Sequence, residues 1–251
     1  MTDSREMELI FEIFSGLLQQ GPGSNKSTLK ALGLLPQLEP EPRILDLGCG
    51  SGRQTIALAK ATGGSVTAVD IHQPFLDELT ERANDACVGE RITCVRASMD
   101  ELPEDLGQFD LVWSEGAVYI VGFQTGLEYW RSVLEPDGLA AVSELSWLVD
   151  EPSADVKKFW AQEYPDLASI DENLSRCRAS GYRVITSFAL PDSDWWPEFY
   201  DPLSERLTTL AAKYCGDKEA EAAIESTEQE MDIFRRYSKE YGYVFYLLQR
   251  S

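Results

Sequence analysis

The chain has a single histidine, His72, and that scarcity is the first constraint on its chemistry. A multi-histidine metal site is excluded, so no metal is expected, and a Ser-His-Asp triad would have only this one imidazole to draw on. Cysteine is sparse and unpaired in pattern. Cys49, Cys87, Cys94, Cys177 and Cys215 form no C-x-x-C motif. Their odd number, without an export signal, points to reduced thiols in the cytoplasm. Basic residues are scarce too: 22 Lys and Arg against 43 Asp and Glu leave a net charge of −21. Such a surface repels phosphate backbones and anionic membranes, which argues against nucleic-acid and membrane partners. It suits solubility or a salty cytoplasm, or else attraction of a cationic substrate. No apolar run approaches the ~20 residues of a membrane span. The acidic start Met1-Thr2-Asp3-Ser4-Arg5-Glu6 does not read as a signal peptide.

What the chain does have is a glycine cluster at the end of an apolar run, Ile44-Leu45-Asp46-Leu47-Gly48-Cys49-Gly50-Ser51-Gly52, followed at once by the helix-like Gln54-Thr55-Ile56-Ala57-Leu58-Ala59-Lys60. That pattern is a buried strand, a tight turn and a helix. Glycine belongs there because the backbone must bend sharply and approach a ligand with no Cβ in the way. The spacing departs from the dinucleotide fingerprint G-x-G-x-x-G. Arg53 holds the third glycine position, and Gly52 comes one place early. This speaks against a nicotinamide-dependent dehydrogenase. Asp46 adds a carboxylate suited to ammonium or sulfonium charge. A second β-branched run, Val66-Thr67-Ala68-Val69, ends in Asp70, twenty positions after Gly50, where the next parallel strand would grip a ribose.

At these residues the chain resembles the class I S-adenosylmethionine-dependent methyltransferases. Residues 44–52 match the family's aliphatic-aliphatic-D-aliphatic-G-small-G-x-G motif, and Val69-Asp70 matches its ribose-binding acid. The stretch Arg96 to Pro103 sits where the family has G-D-A-x-x-L-P, although Ser98 replaces the acid that often meets the adenine amino group. Phe109-Asp110-Leu111-Val112 matches the fourth-strand motif, and Leu134-Glu135-Pro136-Asp137-Gly138-Leu139 the fifth, with Asp137 in place of a glycine. Five motifs keep register over about a hundred residues, closest to the small-molecule branch called methyltransferase type 11 or ubiquinone-biosynthesis-like.

The resemblance implies an α/β fold: a doubly wound, mostly parallel, seven-stranded Rossmann-like sheet with an antiparallel last strand. Alternating patterns agree, with strands at 43–47, 65–70, 91–96, 109–113 and 138–146, and helices at 53–61, 74–86 and 123–134. Apolar spacing predicts an N-terminal helix from Met7 to Gln19 and another over Thr28 to Leu34. Beyond the core, helices are expected at Ser153–Glu163 and Asp171–Ala179, a strand at 182–190, helices at 202–214 and 218–241, and a last strand at 243–248. The 251 residues suit a single methyltransferase domain. It would consist of an N-terminal helical cap (1–42), a cofactor core (43–150) and an acceptor-side half (151–251) with a helical insertion at about 198–241.

The resemblance also implies the site. Asp46, Gly48, Cys49, Gly50 and Gln54 are expected around the methionine part of S-adenosylmethionine, Asp70 on the ribose, and Ile71, Ser98 and Met99 at the adenine. Ser114 and Glu115 follow the fourth strand beside the reactive methyl. Trp113-Ser114-Glu115-Gly116 lacks the tetrapeptide of DNA- and glutamine-methylating enzymes, and no Pro-Cys nucleophile follows. Glu115 is either a proton acceptor or amine ligand in catalysis, or a partner of the methionine ammonium or the loop backbone. Tyr119 and Glu144 are lesser catalytic candidates. Tyr119, Trp147, Trp195, Trp196 and Tyr200 either line an acceptor pocket, stacking on a flat or cationic acceptor, or pack a lid helix. Gly21-Pro22-Gly23-Ser24 is a flap over the cofactor or a linker. His72 is read as packing beside the nucleoside. The expected activity is methyl transfer to a small-molecule acceptor. The alternative is a non-catalytic S-adenosylmethionine-binding regulatory or assembly protein, and the aromatics would serve equally as a homodimer contact.

Overall fold

The computed structural model describes residues 2–251. Two helices, α1 (Thr2–Phe14) and α2 (Asn25–Leu34), precede the sheet. The spacing expected α1 to run to Gln19. It stops at Phe14 because Gly16 adopts a left-handed conformation (φ 76°), which ends a right-handed helix. Leu17 is still buried, but Leu18 faces solvent.

The core alternates as its apolar runs require. Strand β1 (Arg43–Leu47) leads to α3 (Arg53–Thr62), β2 (Ser65–Asp70), α4 (Gln73–Asp85), β3 (Ile92–Arg96), β4 (Phe109–Glu115), α5 (Phe123–Trp130) and β5 (Leu134–Trp147). Helix α5 ends four residues earlier than its pattern suggested, and β5 begins four earlier. Asp137 takes a left-handed φ of 62° inside β5, so the Asp137-Gly138 bend lies within the strand. Then come α6 (Ala154–Glu163), the two-residue β6 (Ala168–Ser169), α7 (Ile170–Ala179), β7 (Tyr182–Ala189), α8 (Asp201–Lys213), α9 (Lys218–Tyr237) and β8 (Tyr241–Arg250). A capping box closes the start of α7: the Ser169 hydroxyl accepts from the Glu172 N–H while the Glu172 carboxylate accepts from the Ser169 N–H.

The sheet order is β3-β2-β1-β4-β5-β8-β7, and β6 pairs with β5 off this path. It therefore has eight strands rather than seven, the extra one being a dipeptide too short to show as a pattern. Strands β1 to β5 are parallel, and β8 runs antiparallel between β5 and β7. Helices α8 and α9 lie between β7 and β8 in sequence, as the insertion was expected to. The order reverses between β1 and β4, and ligands of open α/β sheets bind at the carboxyl ends beside such a switch point.

Both faces are covered, which is why the central strands β1, β4, β5 and β8 are buried along most of their length rather than on alternate residues. On one face Leu45, Leu47, Val112 and Val142 pack with Leu127 and Trp130 of α5 and Cys177 of α7. On the other, Ile44, Val66, Leu111 and Ala141 pack with Ala31 of α2, Leu58 of α3 and Leu79 of α4. A third cluster joins α1, α6, α8 and α9 around Trp160, Trp195, Phe234 and Tyr241, above the carboxyl end of β5.

Candidate active site

The glycine turn is fixed by contacts only glycine permits. Gly48 and Gly50 have φ of 68° and 53°. A Cβ on Gly48 would stand 2.4 Å from the Ala117 Cβ, and one on Gly52 2.0 Å from Leu79 Cδ1. The N–H groups of Gly48 and Cys49 both donate to the Val69 carbonyl, at 2.9 and 3.0 Å, tying the turn to the end of β2. One residue on, Asp70 Oδ2 accepts from the Gly50 N–H and Oδ1 from the His72 N–H, each at 2.9 Å. Burial raises the Asp70 pKa, and these two donors oppose the rise. Each oxygen keeps lone-pair capacity for a further donor such as a ribose hydroxyl.

Asp46 lies fully buried behind the turn. It accepts from the Thr55 hydroxyl at 2.5 Å and from Gln54 Nε2 at 3.4 Å, while Gln54 also donates to the Cys49 carbonyl at 3.2 Å. Burial pushes the Asp46 carboxyl up to about 7 against the pull of those donors. Burial likewise drives the Cys49 thiol well above its ordinary value, the opposite of an activated nucleophile.

At the nucleoside end Ile71 is 45% exposed, an apolar side chain with an open face. His72 stacks on Phe11 of α1, with ring centroids 3.9 Å apart. The Ser98 hydroxyl is bonded to Asp100, and Met99 is buried with its carbonyl accepting from Trp130 Nε1 at 2.8 Å. Ser114 is buried, and its hydroxyl donates to the Leu47 carbonyl at 2.9 Å, cross-tying β4 to β1.

Glu115 is fully engaged. Oε2 is 2.6 Å from Arg53 Nη2, and Oε1 accepts from the Thr28 hydroxyl at 2.7 Å and Trp113 Nε1 at 2.8 Å. Removing a proton from an acceptor would require this carboxylate to leave its donors. The Gly21–Ser24 segment lies on this ion pair: a Cβ at Gly23 would stand 2.9 Å from Arg53 Nη2 and 3.2 Å from Glu115 Oε2.

The aromatic residues separate by place. Tyr119 is 44% exposed and meets Tyr164 edge-on at 5.9 Å. Trp147 is half-buried, edge-on to Tyr241. Trp196 is half-buried beneath the Arg235 guanidinium. Trp195 is 2% exposed and stacked on Phe234 at 3.9 Å. Tyr200 is buried, donating to Glu230 at 2.8 Å. Trp195 does border a cavity of ≈ 350 Å³, together with Leu148, Leu190 and Tyr241, but no residue of the glycine turn lines it.

Residues that the sequence reading did not single out complete the surroundings. Gln20 Oε1 accepts from the Ser51 N–H at 2.8 Å, and Arg82 Nη1 donates to the Ser51 hydroxyl at 2.7 Å. Arg53 was noted only as a missing glycine; a lone Arg inside a helix start next to an apolar core implies an acid partner, which is the one usable signal. No cluster of His, Cys, Asp and Glu among the described residues is arranged to hold a metal ion.

The switch-point turn, the ribose-type acid and the strand order together define a nucleoside-binding Rossmann-like protein of the methyltransferase type. Residues 44–138 match the family model described as a methyltransferase domain. The chain is 28% identical over 238 residues to the 27-O-demethylrifamycin SV methyltransferase of Amycolatopsis mediterranei (strain S699), covering 88% of this chain and 81% of that one. In fold it is similar to a SAM-dependent methyltransferase from Geobacter sulfurreducens solved with S-adenosyl-L-homocysteine, with TM-score 0.81, 22% identity, and 97% and 98% of the two chains covered. It is also similar to YjhP from E. coli, with TM-score 0.84, 18% identity, and 97% and 100% covered. Residues 44–138 thus form a methyltransferase domain of the S-adenosylmethionine-dependent type, and S-adenosylmethionine is its cofactor. The residues present fit that cofactor: a twice-anchored acid for a ribose, an open apolar face at Ile71, and a carboxyl buried behind a glycine turn.

Proposed function

We propose that the chain methylates a hydroxyl group on a small, largely uncharged organic molecule in the cytoplasm, without nucleic-acid or membrane partners. The observation that carries this reading is one short loop. Ala117 lies against Gly48 of the cofactor turn, and two residues further on Tyr119 meets Tyr164. The loop after β4 therefore spans from the cofactor turn to an aromatic wall. Tyrosines dominate that wall, and its carboxyl, Glu144, is pushed up to about 8 by burial. Such a wall is near neutral at pH 7 and offers hydrogen bonds, which suits a hydroxylated acceptor. The relative named for 27-O-demethylrifamycin SV supports oxygen as the methylated atom. The cytoplasmic setting is supported by five free cysteines, two of them buried. No helix among the described residues is long and apolar enough to cross a membrane.

When bound, the cofactor supplies an electrophilic methyl group, so no strong acid or metal is demanded of the protein. Asp70, Ile71 and Met99 would hold the nucleoside, and the Gly48–Gly50 turn with Gln54 the amino-acid end. Glu115, through Arg53 and Thr28, holds the end of β4 and its loop in register with the turn. Orientation of this kind accounts for ~7–11 kcal/mol of a displacement barrier.

Calorimetry with S-adenosylmethionine on wild type and Asp70→Ala, followed by S-adenosylhomocysteine release with phenols, alcohols, amines and carboxylates, tests the reading. Hydroxylated acceptors are expected to turn over. Cofactor binding without turnover of any class would favour the non-catalytic alternative, and turnover of amines alone would replace oxygen by nitrogen.

A further inference from the structure

Glu144 of β5 is 1% exposed, and its Oε2 has no hydrogen-bond partner. The Tyr164 hydroxyl, buried beside it, also lacks a well-formed partner, although it is close enough to draw the Glu144 carboxyl downward. Two adjacent orphan polar atoms in a folded interior are costly unless something completes them. The contrast with Glu115 is direct. Ser143, the neighbour of Glu144 in β5, pairs with Glu115 and accepts from the Gly116 N–H at 2.8 Å. Glu144 therefore stands one rung beyond the carboxylate that the sequence favoured, at the same end of the sheet, but unlike Glu115 it has no cation on it.

The groups facing this carboxyl come from every element around it. Tyr164 and Asp166 follow α6, Arg176 belongs to α7, and Tyr119 and Tyr243 approach from the loop after β4 and from β8. Arg176, the nearby cation, already donates to the Asp166 carbonyl and to Asn173 Oδ1. Tyr119, near enough to feel the Glu144 charge, is 44% exposed and so borders solvent on this side.

We propose that Glu144 is the catalytic proton acceptor for the acceptor hydroxyl, with Tyr164 positioning its carboxylate. This rests on the O-methylation reading above. As the oxygen–methyl bond forms, the sulfonium's sulfur–methyl bond breaks and its electron pair stays on sulfur. The hydroxyl proton passes to Glu144 and from there to solvent. Burial holds the carboxyl near 8, so its accepting form grows in as pH rises toward that value, closer to a hydroxyl in proton affinity than an ordinary carboxylate would be.

The test uses phenol as the probe, titrated calorimetrically into protein saturated with S-adenosylhomocysteine from about pH 6 to about pH 9, where phenol itself stays largely neutral. Wild type is expected to bind phenol about tenfold more tightly at the upper end, as a hydrogen bond to a charged acceptor requires. Glu144→Gln is expected to lose the rise while keeping its S-adenosylhomocysteine affinity, which also reports that it is folded. Tyr164→Phe should move the rise to higher pH, a shift that a merely structural role would not produce. Equal phenol profiles for wild type and Glu144→Gln, or no phenol binding to the loaded wild type, overturn the proposal and leave the cofactor reading standing. Failure of wild type to bind S-adenosylhomocysteine overturns both.

Discussion

Arg53 and Glu115 form an ion pair sealed from solvent, 2.6 Å between Nη2 and Oε2, with each side chain 5% exposed. The first residue of α3 is thereby bolted to the last residue of β4. Arg53 Nη1 extends the tie to Thr28 and Asn25 at 3.0 and 3.2 Å, bringing α2 into the same network. Three elements on either side of the switch point share one pair of charges.

Breaking such a pair by removing one partner leaves an uncompensated buried charge and costs ~3–5 kcal/mol. Glu115→Gln and Arg53→Met are each expected to fall in that range in urea denaturation. The double variant should cost clearly less than the sum, because neither charge is then stranded. Additive costs would mean that the two side chains act independently.

Gly52 opens α3 at φ 84° with Leu79 Cδ1 where its Cβ would be. Gly52→Ala combines left-handed strain on a non-glycine residue, ~1–3 kcal/mol, with a clash into the α4 core. A loss of about 3 kcal/mol or more in denaturation is expected. Gly33, whose Cβ would meet open space in α2, is the control, and Gly33→Ala should be neutral or slightly stabilising.

The strand-turn-helix of residues 43–62 was legible because an apolar run, a glycine cluster and a helical period follow one another with nothing between. The insertion before the last strand was legible from its two long helical patterns. What was not legible depends on distance in sequence. Arg53 read as a missing glycine because its acid lies 62 residues on. Glu115 and Glu144 look alike in sequence, and only the fold gives one a cation and leaves the other bare. Trp195 and Tyr119 are both aromatic residues near predicted loops, yet one is stacked inside the helical layer and the other stands at its rim. Helical spacing carried α1 to Gln19 because periodicity does not register that Gly16 has turned the chain.

Stability should depend on pH in a direction set by the buried carboxyls. Asp46 and Glu144 are raised to about 7 and about 8 in the folded protein. Between their ordinary values near 4 and these values, the folded state holds protons that the unfolded chain has released. The contribution is therefore complete below the unfolded values and is lost as pH rises through the folded ones. Each group can lower stability by up to about 1.4 kcal/mol per pH unit in that window. Glu12, Glu172 and Asp217 are shifted downward and act only at lower pH. Cofactor-free protein is thus expected to be more stable at about pH 5 than at about pH 7, and Asp46→Asn should flatten part of the slope. A curve rising from pH 5 to 7 would contradict the burial of these two groups.

The segment after α1 is strapped onto the glycine turn, so its hydrogen bonds are expected to govern how fast the cofactor leaves. Arg82 Nη2 donates to the Leu17 carbonyl at 3.0 Å and Nη1 to the Leu18 carbonyl at 3.1 Å, while Gln20 Oε1 accepts from the Ser51 N–H at 2.8 Å. Phe11 adds its stack on His72, whose imidazole burial lowers below its ordinary value, so a neutral ring faces Phe11 at pH 7. Opening the turn requires the Gln20 bond to break, but the Arg82 bonds keep the segment in place when it does. Gln20→Ala removes the Ser51 N–H bond, worth about 1 kcal/mol, together with the longer bonds of the Gln20 amide to the Ser51 hydroxyl and the Phe14 carbonyl, and is expected to raise the S-adenosylhomocysteine dissociation rate about fivefold. Arg82→Ala strips donors from several carbonyls at once and should cost about 1–3 kcal/mol of stability as well as speeding dissociation. Stopped-flow dissociation beside urea denaturation separates the two effects. An unchanged dissociation rate in Gln20→Ala would show that cofactor release does not pass through this segment.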